Sequence, residues 1–406
     1  MPTSSFRWWI LALLFFATTI NYLDRIVFSV LVPVMRHDLG LNDRTYGLVT
    51  GAFQGAYTLG YLFIGKVIDR YGTRIGFGVA TLWWSIAAAM HSVARSAGDL
   101  AFWRAMLGLG ESGNFPSAIK AVAEWFPPEE RAYATGIFNS GTTISSIVGP
   151  PMLIAASALW GWRSCFVITG ALGFVWVLLW WLMYKTPPMD AAAANEPKIG
   201  WTAALRCRQT WGFALGKFFT DPVWWFYLFW LPLYFHDSRK LEMREVGWCI
   251  SAIYMASTIG SVGGGWLSGK FMDRGWPHGR ARKTTMAICA ACMPVAALGV
   301  LAPSTIGAVM LFGLGTAGHQ GWSANLFTTA SDVFPKNAVA TVIGIGGAVG
   351  GLSGVLFSAL IPGFVIPLVG YTPVFLVMGT FYLIAWLAVH KFMGDLRKME
   401  GGAVRA

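Results

Sequence analysis

The sequence predicts an all-α membrane protein of twelve transmembrane helices in two six-helix pseudo-repeats, and three observations carry that expectation. Of the 406 residues, 55% are hydrophobic and 12% charged, with a mean hydropathy of +0.56; soluble domains carry about 25% charged residues. Apolar runs of roughly 20 residues, each long enough to cross ~30 Å of hydrocarbon, fill nearly the whole chain. The two halves also repeat each other's punctuation at offsets of 199 to 208 residues, which marks an internal duplication.

Reading the apolar runs against proline, glycine and charge places the spans at roughly 8–35, 45–66, 74–94, 99–121, 131–157, 163–184, 211–235, 245–269, 282–301, 304–330, 338–363 and 372–393. Between the sixth and seventh, Tyr184 to Arg208 contains Pro187, Pro188, a run of four alanines and Pro197 and reads as a linker. The expected organisation is therefore an N-terminal bundle over 1–184, a cytoplasmic linker over 185–208 and a C-terminal bundle over 209–406. With both termini inside, 20 of the 30 Lys+Arg residues fall on the cytoplasmic side and 7 outside, while Arg25, Arg104 and Lys217 lie within spans; the positive-inside rule favours that orientation. Only Arg7 precedes the first apolar run, with no small-residue cleavage site after it, so the first span is expected to stay uncleaved.

The duplication is specific. GKVIDR at 65–70 recurs as GKFMDR at 269–274, Pro33 with His37-Asp38 as Pro232 with His236-Asp237, and Gly108-Leu-Gly110 as Gly313-Leu-Gly315. The net charge of +11 is accounted for by loop lysines and arginines, so nucleic-acid binding is rejected. Five scattered cysteines have neither zinc nor disulfide-framework spacing. With no metal cluster and no nucleophile motif, the chain is not expected to be an enzyme, and no cofactor or metal is implied.

Charge inside an apolar span is a functional signal, because it costs ~2.5–3.5 kcal/mol at the bilayer centre on insertion scales. In the fourth span, Arg104 and Glu111 stand about two turns apart on the face of Gly108, and Gly108 and Gly110 let a neighbouring helix approach. In the first span, Asn21, Asp24, Arg25 and Phe28 share a broad face that Tyr22 flanks. Arg25 is the leading anion ligand, since its guanidinium fork fits a carboxylate bidentately; the alternative is a lasting salt bridge to Asp24 or Glu111. Asp24 and Glu111 are the proton candidates, their affinity raised by burial and lowered by arginine. Gln54, Tyr57 and Tyr61 form a stripe on the second span that suits sugar hydroxyls or ordinary packing. In the second half, Lys217 and Asp221 are four apart and read either as an intrahelical ion pair or as a second cation site. His319, Gln320, Trp322, Ser323 and Asn325 of the tenth span, with Asn139 and Thr142 of the fifth, are candidates for reading hydroxyls.

The loop GKVIDRYGTR, echoed after the eighth span, resembles the signature of the major facilitator superfamily, and the resemblance extends over the whole chain. It implies the major facilitator fold, with a site near the midplane between two related halves. Asn21-Tyr-Leu-Asp-Arg25, Arg104 with Glu111-Ser-Gly-Asn-Phe-Pro116, and Glu124-Trp-Phe-Pro127 followed by Glu130-Arg131 resemble the anion:cation symporter family. Within it, Cys207 to Lys217, Gly318-His-Gln320 and Ser331 to Thr341 resemble bacterial hexuronate transporters. The resemblance implies substrate contact at Tyr57, proton coupling at Glu111 generally and at Asp24 in sugar-acid members, and a cation at Lys217 where several relatives carry arginine. His319 owes its candidacy to the resemblance. Thr142 departs from the pattern, relatives often having glutamine there. The signature loop and its copy, with Asp69, Arg70, Arg74, Asp273 and Arg274, imply a cytoplasmic gate; Asp69 would face a helix N-terminus, where a carboxylate complements the helix dipole.

The expected function is symport of a small organic anion with protons by alternating access, in a monomer of the bacterial inner membrane. The resemblance points to a hexuronate such as glucuronate or galacturonate. Galactonate or glucarate is the nearest alternative, and an organophosphate antiporter, expected to need two well-placed arginines for a dianion, a more distant one.

Overall fold

The computed structural model describes residues 6–126, 128–185, 201–334, 336–394 and 396, and among them contains helices and no strand. The first span is α1 (Phe6–Leu39), largely buried, its polar face of Asn21, Asp24 and Arg25 included. The second and third spans lie in α2 (Asp43–Met90), which opens on a capping box between Asn42 and Thr45. Its two arms meet at Gly72, whose φ of +79° is a conformation that a side chain disfavours and glycine adopts freely.

The fourth span is broken, unlike the continuous run read from sequence. It consists of α3 (Ala97–Glu111) and α4 (Asn114–Trp125), separated at Ser112 and Gly113. Then come α5 (Pro128–Trp160) and α6 (Trp162–Met183), and, in the linker region, the short α7 (Trp201–Leu205). The linker residues 186–200 lie outside the described residues. The second half has α8 (Arg208–Asp237), α9 (Met243–Asp273), α10 (His278–Ala297), α11 (Thr305–Val333), α12 (Lys336–Gly354), α13 (Ile361–Val369) and α14 (Tyr371–Met393). The eleventh span joins α12 to α13 through a π-helical segment at Val355–Leu360; Pro362 follows immediately, and its missing N–H disturbs the α-helical ladder there. Among the described residues, seven segments are long and apolar enough to cross a membrane by length and composition alone.

The helices form two compact units. Unit 1 comprises Met1–Ala194 with Leu228–Ser251, and unit 2 comprises Asn195–Tyr227 with Ala252–Ala406. In unit 1, α3 packs on α2 where a Cβ on Gly108 would lie 2.4 Å from the Phe53 carbonyl oxygen, so the close approach expected from this glycine is met by backbone. The tip of the α8–α9 hairpin also belongs to this unit. Arg36 pairs with Asp237 at 2.6 Å and with Asp43, Tyr46 donates to the Phe229 carbonyl at 2.7 Å, and Ser251 donates to that of Ile147 at 2.5 Å. In unit 2, α9 and α11 cross with Gly264 against Gly321, where a Cβ on Gly264 would lie 2.4 Å from the Gly321 Cα. Asn325 fixes that crossing by donating to the carbonyls of Gly264 and Gly321.

Candidate functional site: buried cation–carboxylate pairs

In unit 1, α1 and α3 bring Arg25 and Glu111 together. Arg25 Nε donates to Glu111 Oε2 at 2.6 Å, with the side chains 1% and 0% exposed. Of the two carboxylates that the sequence offered Arg25, the bond goes to Glu111. The guanidinium lies 4.4 Å from the Tyr57 ring and 4.8 Å from the Tyr22 ring, so a tyrosine of α2 and one of α1 hold its plane by cation–π contact. Gln54 is fully buried one turn before Thr58 on the same helix.

Arg104 is seated differently. Its Nη1 reaches the Asp24 carbonyl at 3.5 Å and its guanidinium lies 4.5 Å from the Phe28 ring, while Nε and Nη2 meet no acceptor of hydrogen-bond geometry among the described residues. Neither carboxylate oxygen of Asp24 meets a donor of that geometry either, although the Thr169 hydroxyl and the charges of Glu111, Arg104 and Arg25 act on it. Two arginines and two carboxylates thus share one buried cluster, with one strong ion pair between them. Chemically, such a cluster can exchange partners: a proton on Glu111 would free Arg25 for another anion.

Unit 2 contains a second pair, Lys217 Nζ to Asp221 Oδ1 at 2.9 Å along α8, with the Phe327 ring 4.9 Å from the ammonium. Nearby, His319 stacks on Trp224 with centroids 4.4 Å apart and hydrogen-bonds the Tyr382 hydroxyl. Gln320 is half-buried. Asn325 is buried with its amide N–H groups on backbone, which leaves its Oδ1 without a partner among the described residues. Asn139 on α5 is exposed and Thr142 buried.

Of the candidate gate residues, Arg70 and Arg74 lie either side of the Gly72 break within α2, and Asp273 and Arg274 at the C-terminal end of α9. Arg70, Arg74, Asp273 and Arg274 are exposed, and the side chain of Asp69 lies outside the described ones. Arg74 Nη2 donates to the Trp181 carbonyl at 2.8 Å. Beside it, Glu124 of α4 accepts from Thr73 of α2 at 2.7 Å and from Tyr184 at the end of α6, so the acid of the Glu124-Trp-Phe-Pro127 motif ties three helices.

Sequence reading missed Phe53, Thr169 and Tyr382. Phe53 flanks both arginines, at 5.7 Å from Arg25 and 5.8 Å from Arg104, and its spacing of four from Tyr57 was the available signal. Thr169 and Tyr382 gave none, being single polar residues in apolar runs.

The Major Facilitator Superfamily model matches residues 14–358. The chain is 30% identical over 411 residues to the hexuronate transporter of Escherichia coli strain K12, covering 94% of this chain and 93% of that protein. It is 29% identical over 279 residues to the galacturonate transporter of Dickeya chrysanthemi, covering 64% and 81%, and 26% identical to a D-galactonate transporter of Escherichia coli O6:H1, covering 97% of both. Among solved structures, a bacterial homolog of the human lysosomal transporter Spinster matches with a TM-score of 0.77 at 21% identity over 98% of this chain and 100% of that one, a likeness of fold.

Proposed function

The chain belongs to the Major Facilitator Superfamily, and on that premise we propose that it is a proton-coupled symporter that imports a sugar-acid anion, a hexuronate, by alternating access. The observation that carries the proposal is the sealed Arg25–Glu111 pair. A buried ion pair is weak evidence for stability, because desolvation offsets the attraction, so a function for the exchangeable cation is the better reason for it. When a proton neutralises Glu111, Arg25 can present its planar fork to a carboxylate. Tyr57 and Tyr22 keep that fork flat, Arg104 and Asp24 share its electrostatic environment, and Lys217 is the proposed second cation. Gln54, Asn139, His319, Gln320 and Asn325 are the proposed readers of sugar hydroxyls.

The substrate class is supported by the hexuronate and galacturonate transporters among the similar proteins. A second reading, transport of galactonate or of an aldarate, is favoured by the similarity to the D-galactonate transporter and to a probable galactarate/D-glucarate transporter. Positive-inside counting supports cytoplasmic termini, the bacterial relatives favour a bacterial inner membrane, and Asp69, Arg70, Arg74, Asp273 and Arg274 are the proposed cytoplasmic gate. The test is uptake of labelled glucuronate into proteoliposomes, in competition with galacturonate, galactonate and glucarate. Hexuronates should compete best and should elicit proton uptake. Stronger competition by galactonate or glucarate would favour the second reading, and uptake without proton movement would refute symport.

A further inference from the structure

Lys217 and Asp221 make an i,i+4 pair in the order cation first, the weaker orientation on a helix, and such pairs contribute only a few tenths of a kcal/mol when exposed. This one is not exposed, each side chain being 15% accessible. Burial of two charges costs more than so weak a pair returns, so helix stability does not explain it. The surroundings are close-fitting on the carboxylate side. A Cβ on Gly350 of α12 would lie 2.2 Å from Asp221 Oδ2, and one turn earlier a Cβ on Gly346 would lie 3.4 Å from Lys217 Cγ. Gly350 thus leaves room for the Asp221 carboxylate, while the space at Gly346 is taken chiefly by the Phe213 ring, with the Lys217 stem in ordinary contact beside it. From α11 the pair is faced by Phe327 and by His319, which feels the Lys217 charge; from α14 it is faced by Tyr382, which feels that of Asp221. Among the described residues, Lys217 is the cation paired with Asp221 and Asp221 the acid paired with Lys217.

We propose that Asp221 is a second proton-carrying residue of the transport cycle, holding Lys217 masked until a proton releases it to the carboxylate of the sugar-acid anion. In that step a proton from solution bonds to an Asp221 oxygen, the ammonium–carboxylate contact breaks, and the ammonium N–H donates instead to the substrate. Each unit then carries one cation masked by one acid, Arg25 by Glu111 and Lys217 by Asp221, and each release takes up one proton. The inference rests on the sugar-acid reading above and adds the unit 2 acid to it.

The experiment uses the full chain in proteoliposomes, with labelled glucuronate. Absence of glucuronate, galactonate and glucarate exchange in the wild-type protein would mean that the functional reading has failed, independently of Asp221. With exchange established, affinity is measured from pH 5 to pH 8, and the proton-to-anion ratio from the pH gradient that stops net flux. In Asp221→Asn, binding at pH 8 should be about tenfold tighter than in wild type, the two should converge at pH 5, and one proton fewer should move per anion. Asp221→Glu should restore the wild-type pH profile. An unchanged pH profile and unchanged ratio in Asp221→Asn would overturn the proposal, as would complete loss of binding in a folded protein. If Asp221→Asn does not fold, Lys217→Met decides: removal of the masked cation should take one proton out of the pH dependence of binding, and retention of the full wild-type dependence overturns the proposal.

Discussion

Arg25 donates its Nε–H to Glu111 across 2.6 Å, from α1 to the last residue of α3, and neither side chain is more than 1% exposed. The consequence is a competition. On the proposed reading, the anion that Arg25 would bind competes with the carboxylate that already accepts its Nε–H, and a proton on Glu111 would decide between them.

The first prediction concerns that fork. Lysine at position 25 would keep the charge but lose both Nε and the flat face that lies on Tyr57 and Tyr22. Arg25→Lys should therefore weaken sugar-acid binding by roughly ten- to a hundredfold, read by direct titration of the purified protein. Wild-type affinity in Arg25→Lys would make Arg25 a structural residue.

Packing gives the second. Because a Cβ at position 108 would meet the Phe53 carbonyl at 2.4 Å and the Tyr57 N at 3.0 Å, Gly108→Leu must push α3 off α2. The expected cost is about 1–3 kcal/mol or more, seen as a lowered unfolding temperature in detergent. Since Tyr57 is displaced with the backbone, substrate affinity should fall with stability. A variant as stable as wild type would show that α2 and α3 are not in contact there.

A third prediction concerns the hairpin tip, where Arg36 is shared by Asp43 and Asp237. Asp43 lies at the start of α2, outside the predicted spans; burial lifts its carboxyl above the ordinary range, Arg36 pulls it back down and Asp237 pushes it up. In Arg36→Ala the downward pull is gone, so the folded protein holds the Asp43 proton more tightly than the unfolded chain does. An acid with a raised folded value contributes stability at low pH that is lost as pH rises through that value. The unfolding temperature of Arg36→Ala should therefore fall further below wild type between pH 4 and pH 7, by the equivalent of about 1–3 kcal/mol at the upper end. Parallel curves for the two proteins would exclude this coupling.

Much of this architecture was legible in the chain, and the exceptions have physical causes. Runs of apolar residues and the duplicated GKxxDR loop located the spans, because a membrane demands length and hydrophobicity that nothing else in the sequence imitates. The close approach at Gly108 was legible too, since a glycine on the face of a buried charge has few other uses. The break at Ser112 and Gly113 was not, because hydropathy does not record where backbone hydrogen bonds stop. Helical phase put Arg104 and Glu111 on one face, yet Glu111 bonds to Arg25, 86 residues earlier, a pairing the sequence offered only as one of two alternatives. Periodicity ranks faces within a helix and is silent on which helix lies opposite. The aromatic frame was half visible: Tyr57 stood out in a stripe and Phe53 stands four residues before it, whereas Tyr382 looks like any other ring in an apolar run. The assignment of Leu228–Ser251 to unit 1 was beyond reach, because a linker's composition marks a boundary along the chain and not where a distant hairpin docks.

The most direct test of proton coupling through the Arg25–Glu111 pair is a paired flux measurement on Glu111→Gln and wild type in the same proteoliposome preparation, with labelled glucuronate. Glutamine mimics the protonated acid, so it leaves Arg25 available while removing the proton that must travel with the anion. Exchange of internal for external glucuronate should persist in Glu111→Gln, and accumulation driven by an imposed pH gradient should fall, with one proton fewer moving per anion than in wild type. Accumulation at the full wild-type proton-to-anion ratio would contradict the account and move the coupling to Asp24, and loss of exchange together with accumulation would make Glu111 a structural residue.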